Sequence, residues 1–303
     1  MTQARLSRTA LAALALACGA AAAQPVDTLR KIADAGAITM GVRDASGAMS
    51  YALGANDYAG FHVDVCRQVV ADLQKQLGLK KLDIRYQLVT AQNRIPLVQN
   101  GTVDIECGTT TNNASRQRDV AFAPTLYIEE VRIATKKKSG ITSLAQLANR
   151  TVAATAGSTA VQLIRKHERA AGVEFKELFG KDNSDGFLLL ENDRADAFAA
   201  DGQILATMIS QARQPDQYVV LGDVLNIEPI AIMLPRGDAA FKRAVDASVT
   251  RLAKSGDVAK LYDKWFVQPI PPNNVRVNLP ATERTRAAWV ELSDKPLEAY
   301  AGK

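Results

Sequence analysis

The residues best placed to do chemistry in this sequence are charged or hydroxylic groups that follow buried apolar segments. Thr109, Thr110 and Thr111 follow Val103-Asp-Ile-Glu-Cys107, and Asp201 follows Ala195-Asp-Ala-Phe-Ala-Ala200. Ser158 and Thr159 come after the turn Ala156-Gly157 and open a helical pattern. Their backbone N–H groups would stand at a helix N-terminus, a natural carboxylate site. Arg116 lies a few residues beyond the threonines, and a guanidinium can grip a carboxylate through two parallel charge-assisted bonds. The alternatives are a surface arginine beside Arg118 and, for Asp201, an N-cap before Gln203–Leu205. No Ser-His-Asp order, nucleophile elbow or phosphate loop is present. His62 and His167 are the only histidines and stand near no Cys/His cluster, so neither a zinc site nor any other cofactor is expected.

These groups need a scaffold, and the apolar pattern supplies one. Ala37–Val42, Leu82–Val89 and Val103–Cys107 read as strands. The Phe61–Leu77 segment sets Val63, Cys66, Val69, Val70 and Leu73 on one helical face, and Asn93–Gln99 reads as a short helix. The alternation repeats from Arg132 to Val224, with strands at Thr151–Thr155, Val173–Phe179 and Ala195–Ala200. It predicts an α/β protein of two lobes, each a mainly parallel sheet flanked by helices. One internal similarity supports two equivalent lobes. Arg94-Ile-Pro-Leu-Val-Gln-Asn-Gly-Thr-Val-Asp104 aligns with Gly186-Phe-Leu-Leu-Leu-Glu-Asn-Asp-Arg-Ala-Asp196. The alignment places Thr109–Thr111 and Asp201 at equivalent strand ends, where open α/β sheets bind ligands. After Val224 the chain resumes with Ile230–Leu234 and helices at Ala239–Lys254 and Val258–Phe266. A return to the first lobe would give two crossovers, near Tyr127–Val131 and Leu221–Asn226, the wiring of a hinge.

The N-terminus reads as an export signal. Arg5 and Arg8 precede an apolar run, Thr9–Ala17, and Ala21-Ala-Ala23 provides a cleavage site before Gln24-Pro25. The run is too short to span a bilayer, which needs ~20 apolar residues. Cys18 follows a poor lipidation motif. Removal of the signal lowers the net charge from +5 to about +3, spread along the chain. Lys136-Lys-Lys138 reads as a solvated loop, and no basic stripe with interleaved aromatics suggests nucleic acid. Cys66 and Cys107 then remain, and in an oxidising compartment such a pair invites a disulfide, with two buried thiols as the alternative.

Gly60-Phe-His-Val-Asp-Val65, with Val69, Val70 and Leu73, resembles the signature of family 3 bacterial extracellular solute-binding proteins. Thr90-Ala-Gln-Asn-Arg-Ile-Pro-Leu97, Asn100–Asn113, Asp263-Lys-Trp-Phe266 and Pro269-Ile-Pro-Pro272 resemble its glutamate/aspartate-binding branch. The resemblance covers essentially the whole mature chain. It implies a type II periplasmic-binding-protein fold, a periplasmic location, an amino-acid ligand, a partner ABC permease in the inner membrane and a monomer. The signal would be 1–23, lobe 1 residues 24–127 and 226–303, and lobe 2 residues 128–225. His62 departs from the signature, where an acid is usual, and is expected to face solvent.

The resemblance also implies roles. Arg116 would hold the α-carboxylate, helped by Thr109, Thr111, Ser158 and Thr159, and Asp201 would accept the α-ammonium. Arg43 and Arg94 would hold a side-chain carboxylate; the alternative leaves Arg94 in solvent and pairs Arg43 with Asp44 or Asp64. A neutral side chain would leave two buried cations uncompensated, so three arginines argue for a diacid. Ala91 stands where the branch has serine, Thr109 replaces another serine, and Asn183 stands where it has a histidine near the ligand side chain. Two other readings use the same fold: a periplasmic cyclohexadienyl dehydratase, and a protein that delivers ligand to a chemoreceptor. The dehydratase needs a general acid in a dry cleft, for which Glu106 and Glu129 are the nearest candidates, without an evident activating partner.

Overall fold

The computed structural model describes residues 27–300. The export signal, its cleavage after Ala23 and Cys18 lie outside the described residues. Two sheets organise the chain. The first runs in the order Asp83–Leu88, Ala37–Val42, Ile105–Glu106, Met233–Pro235, Val120–Phe122. Its first three strands are parallel, and the last two join antiparallel. The apolar face of the helix Phe61–Gln76 packs with Phe241, Val245, Val249, Tyr262 and Phe266 from the helices Ala239–Lys254 and Asp257–Phe266. Full burial of each such side chain stabilises by about 1.5–3 kcal/mol. The C-terminal helices therefore complete the first lobe.

The second sheet runs Lys176–Gly180, Thr151–Thr155, Ala197–Asp201, Tyr127–Lys136, Tyr218–Val220. Again a parallel trio forms one end, extended on one side by antiparallel strands. Separate apolar clusters cover its two faces, one around Val131, Val152 and Ile164, the other around Phe187, Phe198 and Leu205. Tyr127–Lys136 does double duty. Its second half belongs to this sheet, and its first half pairs antiparallel with Asn226–Ile230, Tyr127 opposite Ile230 and Val131 opposite Asn226. The two crossovers are thus hydrogen-bonded to each other. The return crossover lies a few residues later than the apolar pattern suggested, because Leu221 and Leu225 are still tied by their amides to Ile133 and Val131.

The internal duplication has a physical basis in its two aspartates. Asp104 Oδ2 accepts from the Thr39 amide, and Asp196 Oδ2 accepts from the Thr151 amide, each at 2.8 Å. In both lobes the aspartate fastens the turn before one strand to the neighbouring parallel strand. Cys66 and Cys107 form a disulfide that joins the helix Phe61–Gln76 to the residue after Ile105–Glu106.

His62 corrects a sequence expectation. It is fully buried, and its Nδ1 lies 2.7 Å from the Gly108 carbonyl. Gly60 is the N-cap before the helix, and a Cβ there would lie 2.3 Å from the Met49 carbonyl oxygen. That close approach presses the first turn beneath the strand-end loops, so position 62 has no solvent side. Burial pushes its pKa down to about 4, and the ring is neutral near pH 7. Nδ1–H therefore donates to Gly108. The apolar pattern also missed the small antiparallel unit Ala45–Ser46, Ser50–Gly54, Asp57–Ala59, and the helix Glu283–Glu291, whose Trp289 donates to the Leu126 carbonyl at 2.7 Å. Among the described residues, no helix is long and apolar enough to cross a membrane.

Candidate functional site

The C-terminal ends of the two parallel trios face each other across a narrow cavity. One wall carries Arg43, Ala91, Arg94, Thr109 and Thr111, and the other Thr155, Ser158, Thr159, Asn183 and Asp201.

On the first wall, Arg43 follows the strand Ala37–Val42, and its amide donates to Ser50 Oγ at 3.0 Å. Arg94 opens the helix Arg94–Gln99; Thr90 and Asn93 exchange side-chain-to-backbone bonds that set the turn before it. Arg94 is buried rather than in solvent. Its Nη1 donates to the Thr109 carbonyl at 3.1 Å, while its buried Nε has no partner among the described residues. The acids that act most on Arg43 are Glu106, Asp201 and Asp182, not Asp44 or Asp64. Arg116 sits on the short helix Ala114–Gln117, capped by Asn113, whose Oδ1 accepts the Arg116 amide at 2.8 Å. Arg116 Nη1 donates to the Thr111 carbonyl at 2.9 Å. It stands behind the threonines rather than lining the cavity with Arg43 and Arg94. Burial pulls Arg43 down to about 10 and Arg116 to about 9, with Arg94 the next cause in both. All three remain cationic near neutral pH, crowded and desolvated, which favours an anion between them.

The second wall presents a helix N-terminus and a carboxylate. Ser158 is the N-cap of the helix Thr159–Ala171, and its buried Oγ has no partner among the described residues. Asp201 ends the strand Ala197–Asp201 and occupies the N-cap position of the helix Gly202–Gln211, yet its side chain caps nothing. Its carboxyl is free for the cavity. Burial and then Glu228 push its pKa up to about 7, against the opposing pull of Arg94, Arg43 and Arg116. A cation brought beside it would restore its ionised form. Asn183 lines the cavity and is also tied to both lobes. Its Oδ1 accepts from Thr155 Oγ1 at 2.6 Å and its Nδ2 donates to the Ala45 carbonyl at 2.8 Å.

Two buried acids on the hinge strands were not among the binding residues expected from the sequence. Glu228 Oε2 accepts from Thr111 Oγ1 at 2.7 Å and Thr159 Oγ1 at 2.8 Å, one hydroxyl from each wall. Glu129 lies directly opposite Glu228 in the hinge pairing. Its Oε2 has no partner among the described residues, and burial, then Asp201, push its pKa well up. An acid inside the apolar run Ile227-Glu-Pro-Ile230 was the available signal for Glu228. Neither Glu106 nor Glu129 lines the cavity, so the two acids considered for general-acid chemistry stand outside it.

This two-lobed α/β architecture, with its hinge and enclosed charged cleft, defines a solute-binding protein. The chain belongs to the bacterial extracellular solute-binding proteins, family 3, whose sequence profile matches residues 38–268. It is 40% identical over 295 residues to the L-glutamate/L-aspartate-binding protein of Pseudomonas aeruginosa, covering 97% of both chains. It is 36% identical over 300 residues to the glutamate/aspartate import solute-binding protein of Escherichia coli, covering 97% of this chain and 99% of that one. Among solved structures, a cysteine-binding protein from Campylobacter jejuni superimposes with a TM-score of 0.69 at 23% identity, covering 82% of this chain and 98% of that chain, a likeness of fold.

Proposed function

We propose that this protein is the substrate-binding component of an amino-acid ABC transporter and that its ligand is L-glutamate or L-aspartate. One observation carries the reading: Arg43 and Arg94 face Asp201 across a single cavity. A diacidic amino acid matches that arrangement, with its carboxylates on the arginine wall and its ammonium on Asp201. Enclosing it without those partners would leave charges desolvated on both sides. The names of the relatives support the same ligand class. Arg116, held against the Thr111 carbonyl, supports the α-carboxylate with Thr109 and Thr111; the Ser158–Thr159 helix end meets it from the other lobe.

In this reading lobe 1 comprises residues 24–127 and 226–303 and lobe 2 residues 128–225. The chain is exported, cleaved after Ala23, and works as a periplasmic monomer that binds without chemical turnover and delivers its cargo to a permease. Closure follows because the ligand gains contacts from both walls only when they meet. A thermal-shift screen of purified protein against all amino acids and common dicarboxylates tests this. L-glutamate and L-aspartate are expected to give the largest rises in Tm. A larger rise with a cationic or aliphatic amino acid overturns the ligand, and turnover of prephenate or arogenate overturns the non-enzymatic reading.

A further inference from the structure

We propose that Asn183 and Gln203 are latches that hold the two lobes together by gripping consecutive backbone carbonyls of the opposite lobe, and that neither reads the ligand's identity. This rests on the solute-binding reading above, but concerns closure rather than recognition.

The lobe 1 segment after Arg43 reaches over lobe 2. There Asn183 Nδ2 donates to the Ala45 carbonyl at 2.8 Å, and Gln203 Nε2 donates to the Ser46 carbonyl at 3.3 Å. The two carboxamides come from the first turns of two different lobe 2 helices, Asn183–Glu191 and Gly202–Gln211. Thr155 Oγ1 donates to Asn183 Oδ1, which turns the amide nitrogen toward Ala45. The carboxamide is therefore oriented and occupied at both ends by protein groups. Gln203 is buried to 1% exposure; its Nε2 bridges to Ser46, while its Oε1 has no partner among the described residues.

Two glycines permit this approach. Gly47 has φ +60°, and a Cβ there would lie 2.2 Å from Gln203 Oε1 and 3.1 Å from Ile204 Cα. Gly157, on lobe 2, has φ +80°, and its Cβ would lie 2.8 Å from Gln92 Cγ and 2.9 Å from the Gln92 amide nitrogen on lobe 1. Both positions lie where backbone meets the other lobe, and both adopt conformations that favour glycine. These four contacts between the lobes are made by uncharged amides and glycine backbone. Contacts of that kind favour the closed state equally for every ligand, whereas the charges within the cavity differ in what they accept.

The test compares wild type with Asn183→Ala, Gln203→Ala and Gly157→Ala. Calorimetry gives Kd for L-glutamate, L-aspartate and L-glutamine. Paired spin labels, one per lobe, give the closed fraction with and without ligand. Each alanine is expected to raise Kd by about 3- to 10-fold, by the same factor for every ligand that wild type binds, with a matching shift toward the open distance. A tenfold change in the ratio between ligands at Asn183→Ala would make Asn183 a ligand reader and overturn the latch. Unchanged affinities, or a uniform loss without opening, also overturn it. If wild type binds none of the three ligands, the ligand assignment fails by itself, and the ligand-free distances still decide the latch. A wild type that is open under every condition contradicts it.

Discussion

Replacing Asp201 with asparagine should remove binding while making the ligand-free protein more stable, a combination that separates a binding role from a structural one. The carboxyl is buried, and burial with Glu228 raises its pKa from 3.8 to about 7. A folded-state pKa raised above the unfolded value gives stability that is present below the unfolded pKa and lost as pH rises through the folded one. The loss therefore runs from about pH 4 to pH 7 and is complete above it. At about 1.36 kcal/mol per unit, its ceiling is about 4 kcal/mol. Opening of the cleft rehydrates the group and relieves part of this, so a gain of about 0.5–2 kcal/mol is expected for Asp201→Asn at pH 8, vanishing near pH 4. A chain of this size gains about 2 °C in Tm per kcal/mol. Binding moves the other way. Removing one partner of a buried ion pair costs about 3–5 kcal/mol, or roughly a 10²- to 10³·⁵-fold rise in Kd. Calorimetric titration and scanning calorimetry from pH 4 to pH 8 measure both effects. A variant that binds within tenfold of wild type, or that loses stability at pH 8, would refute the reasoning.

Arg94→Ala should weaken L-glutamate and L-aspartate by at least about 10²-fold while changing a monocarboxylate amino acid far less, because in the proposed reading it deletes the buried cation that holds the side-chain carboxylate; competition titration measures the ratio. The Cys66–Cys107 bond closes a separation of 41 residues. In the chain-entropy account that is worth about 4 kcal/mol, so Cys66→Ala/Cys107→Ala should lower Tm by several degrees in denaturation scans without altering ligand preference. His62, with its pKa depressed to about 4, contributes stability that is present above its ordinary pKa near 6.5 and lost as pH falls toward 4. His62→Gln should flatten that acid-side decline by up to about 3 kcal/mol in denaturant titrations between pH 7 and pH 4.

Much of the fold was legible because it rests on local patterns. The helix–turn–strand duplication could be read since Asp104 and Asp196 serve the same amide-fastening role at the same offset. The residues now lining the cavity were legible because they follow buried strands, where the ends of parallel sheets converge. What escaped depends on distant pairing. Glu129 and Glu228 look like ordinary strand residues until Tyr127–Lys136 and Asn226–Ile230 are laid side by side. His62 was expected in solvent because an acid is usual at that position of the signature it resembles, whereas the first turn of its helix is enclosed by loops distant in the chain. The hydrogen bonds of Asn183 to Thr155 and Ala45, the second across the cleft, likewise join groups far apart in the chain. Periodicity shows which face of an element is buried, not what another lobe places against its ends.

The most direct test of opposed charges across one cleft is a calorimetric comparison of L-glutamate with glutarate, which lacks the ammonium, and with L-glutamine, which lacks the second carboxylate. Pairing from both walls predicts that L-glutamate binds at least tenfold more tightly than either analogue, and that Asp201→Asn abolishes the difference from glutarate while Arg94→Ala abolishes the difference from L-glutamine. Equal affinity of wild type for L-glutamate and glutarate would contradict the account.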